Sequence, residues 1–530
     1  MIRARLLAAT ILAGAAVSPA QAQTDAKLSQ IEAQIHALQT ELARVRHDLA
    51  ASRGELRRAQ SRPEPVARTA SQSQGQGQGR GQGPAGGQGD ATNNSATPVS
   101  NVAPPQPQAG GGGSNPGGIG FPSGRPTFTS NDGRFSAAVG LQLHYDVGGY
   151  FQSHDSVAAQ FPRLNTFGEN LRRARLPFVF KYDDFQINIT PDFGGSPDGS
   201  PTLYEANINY TPKGAPLTAT VGYFKPWLTL GDSTSSNAFL FLERPSIVEA
   251  SRNIAGGDAR SSAGLRWATD RYFIAGYLTG GAYGSQTAAL AQPQQTGATL
   301  RLAGRPIATE DVDLHLGFSA SDAFRIQRTA TGQTLTVQDR PELRVDNNRL
   351  VSTGALNARS AYTYGPEFAF RYRNFMVQGE YIRIGVDRTN GGASVPSPGL
   401  EFDGGYVEGS WVITGEPRRY GKNEGAFNNP KVAHPLSSDG GGIGAFELVA
   451  RYSHINLNDK VTRGVAAATT GGVYGGEQNV YAVGVNWYPN DFLRVMLDYD
   501  VINVDKLNAG GTAQNGQRIQ AVALRAQAAF

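Results

Sequence analysis

The chain of 530 residues has no cysteine, which excludes both a disulfide framework and thiolate metal sites. Beyond its amino terminus it has no apolar run near the eighteen or so continuous residues that a membrane-spanning helix needs. Charge of one sign is missing too, with 48 basic and 44 acidic side chains. Twelve basic and seven acidic residues lie up to Arg125, leaving 36 and 37 for the remainder. The surplus of +4 therefore belongs to the amino-terminal part, and no nucleic-acid partner is implied. Lysine is scarce, eight against forty arginines. The seven histidines are scattered without metal-ligand spacing, and no nucleophile elbow is present. Gly440-x-Gly442-x-x-Ala445 matches a dinucleotide fingerprint in letters only, because it precedes a strand pattern rather than a helix. No catalysis, metal or cofactor is expected.

What is there divides into four parts. Arg3 and Arg5 precede a short apolar run, Leu6 to Val17, and Ala20-Gln21-Ala22 ends it with small residues. This is the pattern of a secretory signal peptide over residues 1–22, so the protein is exported. Over residues 23–60, Leu28, Ile31, Ile35, Leu38, Leu42, Val45, Leu49, Ser52 and Leu56 alternate at spacings of three and four. Such a heptad, with Lys27–Glu32, Glu41–Arg46 and Asp48–Arg53 at flanking positions, predicts a parallel α-helical coiled coil and hence a homo-oligomer. The alternative is a single amphipathic helix lying on the rest of the molecule. Residues 61–126 collapse into Gly, Gln, Pro, Ser and Asn, a composition that cannot bury a core and reads as a disordered linker.

From residue 127 to residue 530 the period changes to two. Phe135, Ala137, Val139, Leu141, Leu143, Tyr145 and Val147 share one face, while Ser136, Gln142, His144 and Asp146 lie on the other. A tilted membrane strand needs about nine to eleven residues, with one side toward lipid and the other toward water. Sixteen candidate strands follow, near 135–147, 172–182, 185–193, 203–211, 217–224, 262–269, 272–282, 298–305, 312–320, 362–373, 375–384, 404–413, 445–456, 480–488, 493–502 and 519–530. Connections after even-numbered strands are short, as at Asp183-Asp184, Asp270-Arg271 and Asn374; those after odd-numbered strands are mostly long. The expected fold is thus all-β, a 16-stranded antiparallel transmembrane β-barrel in the bacterial outer membrane. Its turns, stalk and linker would lie in the periplasm, where the stalk could reach peptidoglycan. The stretch from Thr414 to Gly444 breaks the rule, being long where a short turn is expected. The final strand, alternating Val522, Leu524, Ala526 and Ala528 up to the aromatic Phe530, suits a barrel client of the outer-membrane assembly machinery.

Several ordered blocks add a family resemblance. They are Gly222-Tyr223-Phe224-Lys225-Pro226 with Thr234-Ser235-Ser236 and Phe241-Leu242-Glu243-Arg244, then Trp411 to Glu416, Gly444 to Ser453, Gly484 to Asn490, and Leu524 to Gln527. Over the whole barrel region the sequence resembles the phosphate-selective porin O/P family of Gram-negative bacteria. That resemblance implies a trimeric pore for anions such as phosphate, with the third long loop folded inward as a constriction. The third long loop here is Lys225 to Ser261. The constriction candidates in it are Lys225, Asp232, Glu243, Arg244, Glu249 and Arg252. The family's constriction lysines are few in this chain.

Strand phase itself turns one set of basic residues toward the lumen. Arg173, Arg175, Arg266, Arg301, Arg305, Arg371, Arg373, Arg451, Arg494 and Arg525 form a candidate anion ladder. A guanidinium offers a fixed fork of donors to an anion, and a charge on the lipid side would cost about 2–4 kcal/mol. The same faces carry Glu205, Asp313, Glu367, Glu380, Glu408, Glu447, Asp498 and Asp500, so a mixed-charge general pore is the competing reading. With Asp232, Glu243, Glu249 and Asp258 in the third loop, a transverse field is open to such a pore. A third reading makes the barrel an anchor for an envelope-tethering stalk.

Overall fold

The computed structural model describes residues 117–530 except 153–163, 165–166, 195–201, 258, 283–293, 330–331, 390–396 and 515. The expected signal peptide and coiled coil, and the expected linker as far as residue 116, lie outside the described residues.

Sixteen antiparallel strands form the wall. They are β1 (Phe135–Val139 continued by Gln142–Gln152), β2 (Gly168–Arg175 continued by Phe178–Tyr182), β3 (Phe185–Asp192), β4 (Thr202–Tyr210), β5 (Leu217–Phe224) and β6 (Arg260–Ala268). Next come β7 (Tyr272–Ala282), β8 (Thr296–Ala308), β9 (Val312–Arg325), β10 (Leu356–Tyr372) and β11 (Phe375–Arg388). The set ends with β12 (Leu400–Val412), β13 (Ala445–Asp459), β14 (Val473–Tyr488), β15 (Leu493–Asp505) and β16 (Gln517–Ala529). Each pairs with its neighbours in sequence, and β16 pairs with β1 from Ile519↔Gln152 to Ala529↔Gln142, so no edge is left on the closed sheet. Every expected strand is present. Below the end of β16, the flank of β1 is taken by Thr127–Thr129, itself paired with Gly118–Gly120.

Alternation explains why these segments are strands and why they close. Leu143, Ile187, Ile208, Leu265, Leu300, Leu316, Val407, Leu448, Leu497 and Leu524 sit outward at mid-strand, 38–52 % exposed. A soluble protein does not leave so continuous an apolar belt bare; lipid is its natural solvent. Aromatic rings flank the belt at the turn end, including Tyr182, Phe185, Tyr210, Tyr272, Phe375 and Trp411. Phe375 stacks on Trp411 and Phe446 on Trp487, as expected of an interfacial girdle. Asp183 and Arg373 take left-handed φ angles of 49° and 50°, which lets the two shortest turns reverse in two residues.

Toward the loop end the alternation inverts. Arg383, Asp387, Glu401 and Asp403 face outward, while Ile382, Ile384, Val386, Leu400, Phe402 and Ile455 face inward and are almost fully buried. They pack against Leu242, Ile247, Val248 and Ile254 of residues 225–259, and Leu343, Leu350 and Val351 of residues 326–355. Two long connections therefore fill part of the barrel from the loop end. The first carries the short helix α1 (Leu230–Ser233) and the amphipathic α2 (Ser246–Ala255). Residues 413–444 enter from the other end as a hairpin, Arg418–Gly421 with Ala426–Pro430. That insertion accounts for the long connection where a turn was expected.

Candidate functional site

The lumen is the site, and its shape is set by how the three inserts are held. Residues 225–259 are fastened to the wall by backbone groups. Glu380 of β11 accepts from Leu230 N at 2.5 Å and Gly231 N at 2.8 Å, while the Tyr406 hydroxyl donates to the same carboxylate at 2.9 Å. Asp498 accepts from Leu242 N at 2.7 Å, and Arg525 donates to Leu242 O at 2.5 Å. At the tip, Asn237 O accepts from Arg494 at 3.2 Å, Gln527 at 3.1 Å and Asn429 at 3.0 Å. A buried carbonyl served by three donors is a strong point of fixation.

The six constriction candidates are brought together. Asp232 pairs with Arg252 at 2.6 Å and lies 4.0 Å from Arg244; Lys225 donates to Asp232 O. Burial alone would raise the Asp232 carboxyl, but Lys225, Arg252 and Arg244 around it bring it down to about 2. Glu249 pairs with Arg252 at 3.3 Å and, across to the second insert, with Arg344 at 2.5 Å. Glu243 is held by Arg172 at 2.6 Å, Arg525 at 3.1 Å and Arg344 at 3.3 Å. Burial opposes its charge, yet Arg172 and Arg344 hold that carboxyl well below its usual range.

Of the ten ladder candidates, seven carry a carboxylate partner. Arg175 pairs with Asp192 at 2.7 Å, Arg301 with Glu367 at 2.8 Å and Arg451 with Glu342 at 2.6 Å. Arg525 pairs with Asp146 at 2.6 Å; Arg305 and, at 3.9 Å, Arg371 share Asp313. Arg373 lies in the exposed turn between β10 and β11 and pairs there with Asp311 at 3.3 Å, away from the lumen. Three make no ion pair among the described residues. Arg173 bonds His144 at 3.2 Å, Arg266 bonds Asn423 O and Thr218 at 3.2 and 3.3 Å, and Arg494 bonds Asn237 O. Arg173 Nε, Arg266 Nε and Arg494 Nε and Nη2 are buried without a partner.

The inserted hairpin supplies residues that strand periodicity could not find. Arg418 reaches Glu447 at 2.6 Å and Ala238 O of the first insert at 3.1 Å, so the two inserts meet inside the barrel. Arg301 donates to Glu424 O and Gly425 O, both at 2.7 Å. Tyr420 bonds His315 at 2.8 Å, whose other ring nitrogen lies 2.9 Å from Glu367. Among the described residues no group of His, Asp or Glu is arranged to hold a metal ion. The arrangement can sieve solutes by width and bias them by charge.

The family model for phosphate-selective porin O and P matches residues 138–530. An uncharacterized protein of Caulobacter vibrioides is 26% identical over 511 residues, 94% of this chain and 90% of that one. Porin O of Pseudomonas aeruginosa is 28% identical over 178 residues, 32% of this chain and 38% of that one. Among solved structures, the trimer form of OmpT, an outer membrane protein of Vibrio cholerae, is similar with a TM-score of 0.43 and 12% identity. That match covers 75% of this chain and 99% of that one. An anion-selective porin from Comamonas acidovorans gives a TM-score of 0.42 and 11% identity, covering 75% of this chain and all of that one.

Proposed function

The chain belongs to the phosphate-selective porin O and P family and forms an outer-membrane porin channel, and from that premise we propose passive diffusion of small hydrophilic solutes with a preference for small anions, phosphate among them. The single observation that carries the preference is the set of guanidiniums on Arg173, Arg266 and Arg494 that make no ion pair among the described residues. Several wall acids act as anchors instead. Glu380, Asp498 and Glu447 face inserted segments and bond to them, which withdraws their charge from a passing ion. A partly dehydrated guanidinium replaces part of an anion's hydration shell, and the gradient supplies the driving force.

Six paired lumenal arginines favour a second reading, a pore of mixed charge with little selectivity. Reversal potentials in asymmetric chloride and phosphate separate the two. Anion preference that falls when Arg173, Arg266 and Arg494 are changed to Gln supports the first; an unselective or cation-preferring wild type removes it. Trimeric assembly, an affinity for outer-membrane lipid and a tethering role in contact with peptidoglycan remain part of this proposal. The last rests on the heptad segment and the linker that follows it.

A further inference from the structure

The interior is divided unequally. Upper wall positions on β11 to β16, such as Ile382, Ile384, Phe402, Ile455, Val480 and Ile502, are closed off by apolar packing with the inserts. Helix α2 lies against strands on the β8–β13 side. The lumenal faces of β3, β4 and β5 differ. The side-chain bonds of Gln186, Asn188, Asn209 and Thr220 stay within these three strands, and Gln186, Asn209 and Thr220 stay partly exposed.

Those faces carry a continuous strip of neutral hydrogen-bonding groups. Gln186 donates to Asn188 at 2.8 Å, Asn188 to Asn207 at 3.1 Å, and Asn209 to Asn207 at 2.6 Å. Thr220 closes the row on Asn209 at 2.7 Å. Opposite Asn207 in the register stands Gly222, at a φ of 132°, where a Cβ would come within 2.5 Å of Ala206 O. A side chain there would meet the neighbouring backbone, so only glycine allows the two strands to approach this closely beside Asn207. Two carboxylates stand at the upper end: Asp192, paired with Arg175 at 2.7 Å, and Glu205, which accepts from Thr190 at 2.9 Å and Asn207 at 3.3 Å.

We infer that the passage runs off-centre along β3 to β5, and that this amide strip is a guide for uncharged polyhydroxylated solutes such as sugars and polyols. A carboxamide presents a donor and an acceptor side by side, as neighbouring hydroxyls do, so a solute can exchange amide–amide bonds for amide–hydroxyl bonds without leaving either unpaired. Amides carry no formal charge, so the strip adds a route for uncharged solutes beside the anion preference. The inference rests on the diffusion-pore reading proposed above.

The test is purified full-length protein in liposomes and planar bilayers, with a neutral pentose and potassium chloride as probes. Folding of each variant is checked by its heat-modifiable gel mobility. Changing Asn188 and Asn207 together to Val should slow pentose-driven swelling roughly three- to tenfold, the weight of about one hydrogen bond. Chloride conductance should stay within about twofold, because each change replaces one uncharged side chain with another. Thr220→Trp should lower both fluxes if the passage lies there. Unchanged pentose flux in the double variant overturns the guide, as does an equal loss of both probes. Unchanged chloride conductance in Thr220→Trp overturns the placement. A wild type without any chloride conductance instead removes the diffusion-pore reading itself, and is distinguished by that.

Discussion

Arg525 in the last strand grips Asp146 in the first through two parallel hydrogen bonds of 2.6 Å, and the two residues are direct register partners across the seam that closes the barrel. Both side chains are fully buried, and Arg525 also reaches Leu242 O and Glu243 of the first insert. One guanidinium thus joins the seam to the first insert.

Removing one partner leaves a buried charge alone, which costs about 3–5 kcal/mol. Arg525→Leu should therefore lower the heat-dissociation temperature of the folded barrel on gels, whereas the double variant Arg525→Leu/Asp146→Leu should recover much of it. Equal damage in the single and double variants would show that the pair itself contributes little to closure.

The Glu380 carboxylate provides a second check on how rigidly the constriction is held. Glu380→Gln keeps the volume but turns one acceptor into a donor facing either Leu230 N or Gly231 N. Leaving a buried donor unsatisfied costs about 1–3 kcal/mol. Single-channel recordings should then show added current noise and substates, with the mean conductance shifted little. A trace as quiet as that of the wild type would mean the other anchors suffice.

Strand phase made the wall legible because the outer side must meet hydrocarbon, which imposes apolar residues at every second position. Where lipid ends, that rule ends too. Ile382, Ile384 and Val386 point inward while Arg383 and Asp387 point outward, so the pattern turns over within β11, and strands such as β10 and β14 run further than alternation suggested. The inward direction of Arg301, Arg451 and Arg525 was readable for the same reason. Their partners were not. Arg451 lies four residues after Glu447 on one strand face, yet it pairs with Glu342 from an insert, and Glu447 pairs with Arg418 from the hairpin. Contacts made by segments that fold back into a lumen leave no period in the sequence. The hairpin showed itself only as a connection too long for a turn.

That hairpin narrows the barrel from the turn end. Replacing residues 417–431 by a two-residue Gly-Ser turn removes Arg418, Tyr420 and the carbonyls that hold Arg301. Conductance should rise by about twofold or more, since it follows the open cross-section. Arg301 keeps Glu367 while Glu447 loses Arg418, so the anion preference should fall as the conductance rises. A conductance equal to that of the wild type, from a variant with normal heat-modifiable mobility, would place the narrowest point among the loop-end inserts alone.

Asp339 makes the meeting of those two inserts depend on pH. Its carboxyl is buried in the second insert, with Glu249 of α2 and Glu342 on the acidic side and Arg344 as the cation nearby. Burial, with Glu249 adding to it, raises the group from 3.8 to about 7. A carboxyl raised on folding destabilises once it must ionise. Below about pH 4 it is protonated in both states and contributes nothing; between about pH 4 and pH 7 the penalty grows by up to about 1.4 kcal/mol per pH unit; above that it is constant. Asp339→Asn stays neutral throughout. The difference in unfolding temperature between Asp339→Asn and wild type should accordingly be small near pH 4, widen in favour of the variant toward pH 7, and then level off. Curves that stay parallel from pH 4 to pH 8 would mean that the carboxylate finds enough positive charge between the inserts to ionise there at little cost.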